Sequence, residues 1–359
     1  MDKLRVGIVA ATGVIGQQFV ESLYKHPWFE IAGLYASERS AGKKLGEAIK
    51  GREYGDIPEE ILEMRVYPTQ DIFNHKIDLC FSGLEADVGR KIEPKIAEYT
   101  HMISTSSAFR LDSDVSILLP HVNPEHAEIV RTQKKKRGWE SLSTISNCTT
   151  RTLVLPLKPI YDNWGIKELH MGSMQALSGA GEEGVRKNSV YRTIAEANVI
   201  PFIPGEEEKV DVETKKILGS YENGRIVDAE MRIYPACNRV PVEDGHTENV
   251  FVKTREECSV DDVMKALKNF TGMPQKLKLP SAPERPIVVF GDPTSGIYET
   301  YRPQPKIDAE AGKGMITSVG RVRKVHDEIA FVTCSHNTRI GGADGAILIG
   351  EYLHKTDYI

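Results

Sequence analysis

The feature that most constrains the fold is a glycine-containing loop between a strand and a helix near the start of the chain. An apolar run over residues 4 to 10 predicts a buried strand, a helical pattern follows to about Lys25, and a second strand is predicted from Glu30 to Ala36. In such a βαβ unit the backbone N–H groups at the helix start can bind a pyrophosphate, so the loop predicts dinucleotide binding. The alternative is a plain tight turn. The candidate cofactor residues are Thr12, Gly13, Val14, Ile15 and Gly16.

The residues after the second strand indicate which dinucleotide is bound. An NAD site would place a carboxylate there for the ribose 2′-hydroxyl. This chain instead offers Ser37, Arg39 and Ser40, followed by two lysines, which suit an anionic 2′-phosphate. Glu38 opposes this interpretation and would have to point away. The segment therefore favours NADP.

The order of strand and helix patterns predicts two kinds of domain. The first half alternates strands (77–82, 101–104, 115–119, 141–146) with helices (87–99, 124–135). This alternation predicts an α/β fold with a Rossmann-like parallel sheet. The second half has longer strands and fewer helices, which predicts an α+β domain around a mixed or antiparallel sheet.

A chain of 359 residues is too long for one ordinary core. We predict a dinucleotide-binding domain of residues 1–147 and 337–359 and a catalytic and oligomerisation domain of residues 148–336. The last helix pattern, from Gly342 to Leu353, is expected to return to the first domain.

Composition excludes several classes of protein. The net charge of −5 argues against nucleic-acid binding, and the basic cluster at residues 134–137 is interpreted as the exposed end of a helix. Five scattered cysteines without a CxxC pair suggest neither a disulfide framework nor a metal site. We find no signal region and no apolar run long enough to cross a membrane, so we expect a cytoplasmic protein that acts on a small molecule.

The best candidate nucleophile is Cys148, which follows a strand pattern and begins a helix pattern that runs to Trp164. Unpaired N–H groups and the helix dipole at such a position favour the thiolate, which is the reactive form. The alternative is a small buried core residue, as most free cysteines are.

Two later clusters carry further polar candidates. Gln175 ends a strand pattern before a turn that contains Ser178 and Gly179, and Arg239 precedes His246 by seven residues. A histidine can activate a thiol, and an arginine can bind a carboxylate through two hydrogen bonds. Each of these residues taken singly also fits an ordinary structural role.

Taken together and in order, these motifs resemble the aspartate-β-semialdehyde dehydrogenase family, in the branch typical of archaea and fungi. The resemblance covers essentially the whole chain. The matching segments are 11–13, 36–43, 107–110, 147–149, 175–181, 206–209, 237–240, 244–248 and 336–338.

The resemblance implies a role for each candidate residue. Cys148 would be the nucleophile, His246 the acid/base, and Gln175 a residue that orients the acyl intermediate. Arg239 would bind the substrate α-carboxylate and Glu206 its amine. The remaining implied contacts are Lys209 and Arg110 with phosphate and Ser178, Gly179 and Asn337 with the cofactor.

The implied reaction is the NADPH-dependent conversion of 4-phospho-L-aspartate to L-aspartate 4-semialdehyde through a cysteine thioester. It would serve the biosynthesis of lysine, methionine, threonine and isoleucine. The backbone N–H groups of Cys148 and its neighbours would stabilise the oxyanion. A homodimer or homotetramer, formed through the sheet of the second domain, is also implied.

The chain departs from the family pattern at four places. Ile145 and Ser146 replace an Asn-Pro pair before Asn147, Thr105 replaces an asparagine, and Ala10 replaces a glycine of the cofactor loop. An arginine near the C-terminus is displaced by one position, to Arg339, and no role is transferred to it. Malonyl- or succinyl-coenzyme A reductases of the same fold, and a non-catalytic NADP sensor, therefore stay open as alternatives.

Overall fold

A parallel sheet forms the centre of the first domain. The structure is a computed structural model that describes residues 3–51, 53–291 and 301–359. The strand order is β3-β2-β1-β4-β5-β6, which is the order of dinucleotide-binding sheets. The strands are β1 (Leu4–Val9), β2 (Phe29–Ala36), β3 (Val66–Pro68), β4 (Leu79–Ser82), β5 (His101–Ser104) and β6 (Ser141–Thr144). The predicted Rossmann-like sheet is confirmed.

Helices and short 3₁₀ turns connect these strands. The helices are α1 (Val14–Leu23), α2 (Leu45–Ile49), α3 (Glu59–Leu62), α4 (Ala86–Tyr99) and α5 (Val130–Arg137). The 3₁₀ segments are Thr69–Asn74 and Pro124–Ile129. The helix predicted over residues 124–135 therefore begins as a 3₁₀ turn, and its α-helical part starts at Val130.

The strand predicted over residues 115–119 is wrong. Ile117 forms only an isolated bridge with Thr144. The side chain of Asn123 accepts the N–H of Leu119 and donates to the carbonyl of Ile117, so it uses backbone groups that a further strand would need. These hydrogen bonds hold the segment as a loop beside β6.

A mixed sheet forms the second domain, as predicted. Its order is β10-β7-β11-β14-β13-β12, with parallel pairing of β10 with β7 and of β12 with β13, and antiparallel pairing elsewhere. Its strands are β7 (Ile166–Gln175), β10 (Arg232–Arg239), β11 (His246–Thr254), β12 (Ile287–Val289), β13 (Thr317–Val325) and β14 (Glu328–Ser335). A separate hairpin contains β8 (Ser220–Glu222) and β9 (Arg225–Val227).

The helices of the second half link the two sheets. They are α6 (Cys148–Trp164), α7 (Glu182–Val185), α8 (Val190–Ala197), α9 (Glu206–Ile217), α10 (Val260–Asn269), α11 (Met273–Lys276), α12 (Pro305–Asp308) and α13 (Ala343–Lys355), with a 3₁₀ turn at Leu177–Ala180. Helix α6 packs on β11 and β14, and α13 packs on α1 and β5. The predicted return of the last helix to the first domain is confirmed. In the three described ranges, no helix is both long and apolar enough to cross a membrane.

The pairing of three strands sets the position of the site. Arg239 lies opposite Gln175 where β10 and β7 end, and β11 begins beside them at His246. All three side chains are buried on the same end of the sheet, where α6 also begins. The fold therefore brings together candidates that are separated by up to about a hundred residues in sequence.

Candidate active site

Cys148 is the first residue of α6, as the sequence predicted. Strand β6 ends at Thr144, and Asn147 caps the helix by accepting the N–H groups of Thr149 at 2.9 Å and Thr150 at 3.2 Å. Asparagine is among the best N-cap residues, so this contact accounts for the position at which the helix begins.

His246 faces the thiol. The Cys148 Sγ and His246 Nε2 atoms lie 3.1 Å apart, and the backbone N–H of Ala176 donates to Nδ1 at 3.1 Å. With Nδ1 occupied as an acceptor, the neutral ring carries its proton on Nε2, so Nε2–H points towards the sulfur.

The acid–base state of the pair corrects one sequence-based expectation. Burial raises the pKa of the Cys148 thiol to about 12, and the Glu206 carboxylate adds to this increase. Arg239, Arg110 and the Thr149 N–H lower this pKa by less. Burial also lowers the pKa of His246 well below its ordinary value, as does the charge of Arg239. The helix start does favour the thiolate, but burial outweighs it, so the thiol is neutral in the protein without substrate.

Arg239 and Gln175 lie beside this pair. The Arg239 guanidinium donates from Nη1 to the carbonyl of Ala176 at 2.6 Å and from Nε to the hydroxyl of Tyr191 at 3.0 Å. Its Nη1 is also 3.5 Å from the Gln175 side-chain oxygen. These contacts hold a buried guanidinium in a fixed orientation, which suits recognition of a carboxylate.

Glu206 begins α9 and reaches the residue next to the nucleophile. Its carboxylate accepts the side-chain amide of Asn147, at 2.9 Å to Oε2, and the Lys209 ammonium, at 2.9 Å to Oε1. Burial is the largest single effect and acts to raise the pKa of Glu206, but the charge and hydrogen bond of Lys209, the hydrogen bond from Asn147 and the charge of Arg239 together leave this pKa below its ordinary value. Glu206 is therefore an anion, as recognition of an ammonium group requires.

Arg110 enters the site from the first domain. Its guanidinium is buried and donates to the Glu213 carboxylate at 2.9 Å and to the carbonyl of Thr105 at 2.7 Å. Thr105 stands where the sequence motif of the resembled family has an asparagine. The backbone carbonyl of Thr105 still accepts a hydrogen bond from Arg110 and so helps to orient it.

One cavity joins the thiol to the glycine loop. It has a volume of about 200 Å³ and includes Cys148 and Arg110 in its wall. The predicted cofactor residues in this wall are Val14, Ile15, Ser178, Gly179 and Asn337. Asn337 donates to Ser178 Oγ at 2.8 Å and accepts the Gly245 N–H at 2.8 Å.

Gly179 lets the turn pass close to two site residues. A β-carbon at this position would lie 2.6 Å from Arg239 Nη1 and 3.0 Å from the His246 ring. A side chain at this position would therefore displace the Arg239 guanidinium from its place beside His246.

The glycine loop has the geometry of a pyrophosphate site. Helix α1 starts after Gly13 without a side-chain cap and without an acidic residue in its first turn. Gly16 passes so close to the strand that a β-carbon would lie 2.0 Å from the Ala10 carbonyl oxygen. Ala10 itself has φ of +61°, the left-handed region where glycine is preferred. The remaining predicted loop residue, Thr12, lies next to Gly13 and is half-buried.

The predicted 2′-phosphate residues lie outside this cavity, where β2 ends. Ser37 and Arg39 are exposed, and Ser40 is buried in a turn that its N–H closes on the Ser37 carbonyl. Glu38 is also exposed and accepts a hydrogen bond from Gln70. The end of β2 is where an adenosine ribose lies in folds of this type.

Several site residues escaped the sequence analysis. Asn147 and Glu213 contact the nucleophile's segment, Tyr191 contacts Arg239, and the Tyr54 hydroxyl donates to Asp244 at 2.7 Å. Glu213 had one signal, because it lies two helical turns after Glu206 and on the same face.

Arg339 lines a different cavity from the one that contains the thiol. It pairs with Glu21 at 2.8 Å and with Asp344 at 3.5 Å, beside a larger cleft of about 770 Å³ between the end of α1 and residues 280–288. This cleft contains none of the predicted site residues.

Comparison with known proteins gives consistent similarities. The family models described as semialdehyde dehydrogenase, NAD binding domain, and semialdehyde dehydrogenase, dimerisation domain, match residues 5–130 and 157–340. The aspartate-semialdehyde dehydrogenase of Methanothermobacter thermautotrophicus is 42% identical over 98% of this chain and 99% of its own. A malonyl CoA reductase (NADP) of Metallosphaera sedula is 32% identical over 99% of this chain and 98% of its own.

A solved structure extends the similarity to the whole fold. The aspartate semialdehyde dehydrogenase of Candida albicans, determined with NADP, superposes with a TM-score of 0.87 and 37% identity and covers 100% of both chains. The resemblance in the sequence motifs is confirmed, including its archaeal and fungal character. The chain therefore belongs to the aspartate-semialdehyde dehydrogenase family.

Proposed function

We propose that this chain catalyses the reductive dephosphorylation of 4-phospho-L-aspartate to L-aspartate 4-semialdehyde, with NADPH as reductant. The product would feed the biosynthesis of lysine, methionine, threonine and isoleucine. The observation that carries this proposal is the pairing of the Cys148 thiol with His246, where Cys148 lies in the wall of a cavity that also contains Arg110.

The residues fit the cofactor. The uncapped start of α1 supplies N–H groups for the pyrophosphate, and the cavity runs from Val14 and Ile15 to Asn337 beside the thiol. Ser37, Arg39 and Ser40 would hold the 2′-phosphate. The carboxylate of Glu38, which would repel this phosphate, is bound by the side chain of Gln70. When bound there, NADPH supplies the hydride that reduces the thioester.

The substrate groups have matching partners. Arg239 would bind the α-carboxylate, Glu206 the ammonium group, and Arg110 with Lys209 the phosphate. Glu206 and Lys209 already form an ion pair at 2.9 Å. The substrate ammonium group would bind the negative member of this pair, and the substrate phosphate would bind the positive member. Gln175 would orient the acyl group between Arg239 and the thiol.

The chemistry begins with ionisation of Cys148. The thiolate forms a bond to the acyl carbon, the bond to the phosphate oxygen breaks, and phosphate leaves with one proton. The Thr149 and Thr150 N–H groups donate to the side chain of Asn147. The Cys148 N–H would therefore stabilise the oxyanion without the neighbouring N–H groups that the sequence analysis included. After reduction, the hemithioacetal collapses to aldehyde and thiolate.

His246 would assist at Nε2. As a neutral ring it donates Nε2–H to the thiolate. An imidazolium carries a proton on both nitrogens, so a step that protonates this ring must displace the Ala176 N–H from Nδ1. The acid/base role thus includes a small movement of the ring.

The coenzyme A reductase is the second candidate, because a malonyl CoA reductase is 32% identical to the chain. A coenzyme A thioester of malonate or succinate contains no α-amine and no acyl phosphate, so Glu206 and Lys209 would have no substrate group to bind. Glu206 contacts Asn147 and Lys209 contacts Glu206, and this placement favours the aspartyl substrate over this candidate and over a non-catalytic sensor.

The test follows absorbance of the reduced nicotinamide. Purified protein is mixed with L-aspartate semialdehyde and phosphate, with NADP or NAD. We expect phosphate-dependent reduction that prefers NADP and is lost in Cys148→Ala. Oxidation of NADPH with malonyl- or succinyl-coenzyme A, without the first reaction, would replace the proposal with the second candidate. Absence of both reactions would favour the sensor.

Assembly, location and domain limits are part of the proposal. A homodimer or homotetramer would use the outer face of the second sheet, where Tyr234 is 46% exposed and stacks on His170. The matching dimerisation-domain model supports self-association. We retain residues 1–147 with 337–359, and residues 148–336, as the two domains, and the cytoplasm as the location.

A further inference from the structure

One face of helix α9 carries charged residues into the protein interior. Glu206, Lys209, Glu213 and Lys216 follow one another at spacings of three, four and three residues, so they lie along one side of the helix. Glu206, Glu213 and Lys216 are all buried. A buried charged face needs partners, and each of these residues contacts a segment of the active site.

Glu213 holds two segments with its two carboxylate oxygens. Oε1 accepts from Arg110 Nη1 at 2.9 Å, and Oε2 accepts the backbone N–H of Asn147 at 2.6 Å. The residue is 1% exposed. A single carboxylate therefore links the proposed phosphate-binding guanidinium to the residue immediately before the nucleophile.

Lys216 holds the backbone of the same loop. Its ammonium group donates to the carbonyls of Arg110 at 2.7 Å, Asp112 at 2.8 Å and Val115 at 2.9 Å. Arg110 is thus fixed by α9 at both ends, through its side chain by Glu213 and through its carbonyl by Lys216.

We infer that Glu213 is a positioning residue. It fixes the orientation of the Arg110 guanidinium for phosphate binding and holds this guanidinium in a constant position relative to the Cys148 segment. The inference rests on the proposed function, because Arg110 is taken as a phosphate ligand. Glu213 itself touches no reacting atom in this account. It acts through Arg110 on one side and through Asn147 on the other.

Two physical effects of removing this carboxylate have opposite signs. Loss of the negative charge would leave the Arg110 charge less compensated and would strengthen phosphate binding. Loss of the hydrogen bond would release the guanidinium from its orientation and would weaken phosphate binding. Glutamine replaces one of the two accepting oxygens with an NH2 group, which cannot accept from Arg110 or from Asn147. The inference requires that this loss of orientation outweighs the loss of charge.

The first experiment measures protection of Cys148 from iodoacetamide by inorganic phosphate, which requires no turnover. For Glu213→Gln we expect the half-protecting phosphate concentration to rise about tenfold, the size expected for loss of a hydrogen bond between charged groups. Glu208→Gln is the matched control, because Glu208 lies on the same helix and is exposed. It should behave as the unsubstituted protein. Unchanged or stronger protection in Glu213→Gln would overturn the inference, as would an absence of protection in the unsubstituted protein.

A kinetic measurement separates positioning from a loss of folded protein. In the phosphate-dependent direction, Glu213→Gln should raise KM for phosphate about tenfold and leave KM for the semialdehyde within about twofold. A fall in kcat with both KM values unchanged would indicate a merely structural role. If the unsubstituted protein shows phosphate protection without turnover, the proposed function fails while the positioning role is still tested.

A double substitution tests whether Glu213 acts through Arg110. Arg110→Met removes the guanidinium, and Arg110→Met with Glu213→Gln removes both partners of the buried pair. We expect the double variant to show phosphate protection no weaker than that of Arg110→Met, because Glu213 has no guanidinium left to orient. Additive losses would contradict the inference. Circular dichroism of each variant verifies that it is folded.

Discussion

Asn147 offers the sharpest test of how the nucleophile is held. Its side-chain oxygen caps α6, and its side-chain amide donates to Glu206 at 2.9 Å. These two functions can be separated by substitution. Asn147→Ser retains a capping oxygen and removes the amide, whereas Asn147→Ala removes both.

The expected magnitudes follow from these contacts. Loss of an N-cap costs about 1 kcal/mol of stability. Loss of a hydrogen bond to a charged group costs about 1.5 kcal/mol, the low end of the usual range, because Glu206 keeps Lys209 as a partner. We therefore expect Asn147→Ser to lower the free energy of unfolding by about 1.5 kcal/mol and Asn147→Ala by about 2.5 kcal/mol.

The assay is urea unfolding at neutral pH, followed by circular dichroism. Asn147→Asp provides a third comparison, because aspartate caps as well as asparagine but places a second carboxylate against Glu206. Two adjacent carboxylates raise the pKa of one of them. The stability of Asn147→Asp should therefore be lost as pH rises through that raised pKa, a dependence that Asn147→Ser lacks.

Equal stabilities of the serine and alanine variants would refute the capping argument. A loss below about 0.5 kcal/mol in both would refute the energetic importance of the contacts, since surface substitutions commonly reach that size.

Three further predictions concern single positions. Ala10→Gly should increase the free energy of unfolding by about 0.5 kcal/mol, because it relieves a left-handed alanine at some cost in backbone entropy, and urea unfolding measures this change. Alkylation of Cys148 by iodoacetamide should rise about tenfold per pH unit to at least about pH 9 without a plateau, because its pKa is raised to about 12; a plateau near neutral pH would contradict this. Burial raises the pKa of Asp344 to about 6, so its contribution to stability is complete at about pH 4 and is lost as pH rises through 6. Asp344→Asn should therefore gain up to about 3 kcal/mol relative to the unsubstituted protein between about pH 4 and pH 7, and a constant difference in denaturation midpoints would refute this.

Local patterns predicted the frame of the site correctly. The strand, glycine loop and helix at the start of the chain, and the position of Cys148 at the start of a helix, depend on apolar periodicity and capping within a few residues. Those features are encoded close together in sequence, so they could be identified without tertiary information.

The charged face of α9 could not be predicted in the same way. A segment that begins with three glutamates and a lysine has the composition of a solvated surface, yet Glu206, Glu213 and Lys216 are buried. Their partners, such as Asn147 and Arg110, are about sixty to a hundred residues away in sequence. Only the packing of the two domains creates these contacts.

The same reason explains the error about the thiol. The helix start is a local feature and was predicted, but the pKa of Cys148 depends chiefly on burial and on Glu206, which are tertiary features. The misassigned strand at residues 115–119 has a similar origin, because the side chain of Asn123 occupies its backbone groups.

The central claim is that Cys148 carries the acyl group, and a burst experiment without phosphate tests it most directly. The protein is mixed rapidly with L-aspartate semialdehyde and NADP, and NADPH is followed by absorbance. We expect one NADPH per active site and then almost no turnover until phosphate is added. The reason is that the acyl group stays on Cys148 as a thioester until phosphate accepts it. Mass spectrometry should find the acyl group on the peptide that contains Cys148. Continuous turnover without phosphate, or a burst that persists in Cys148→Ser, would contradict the account.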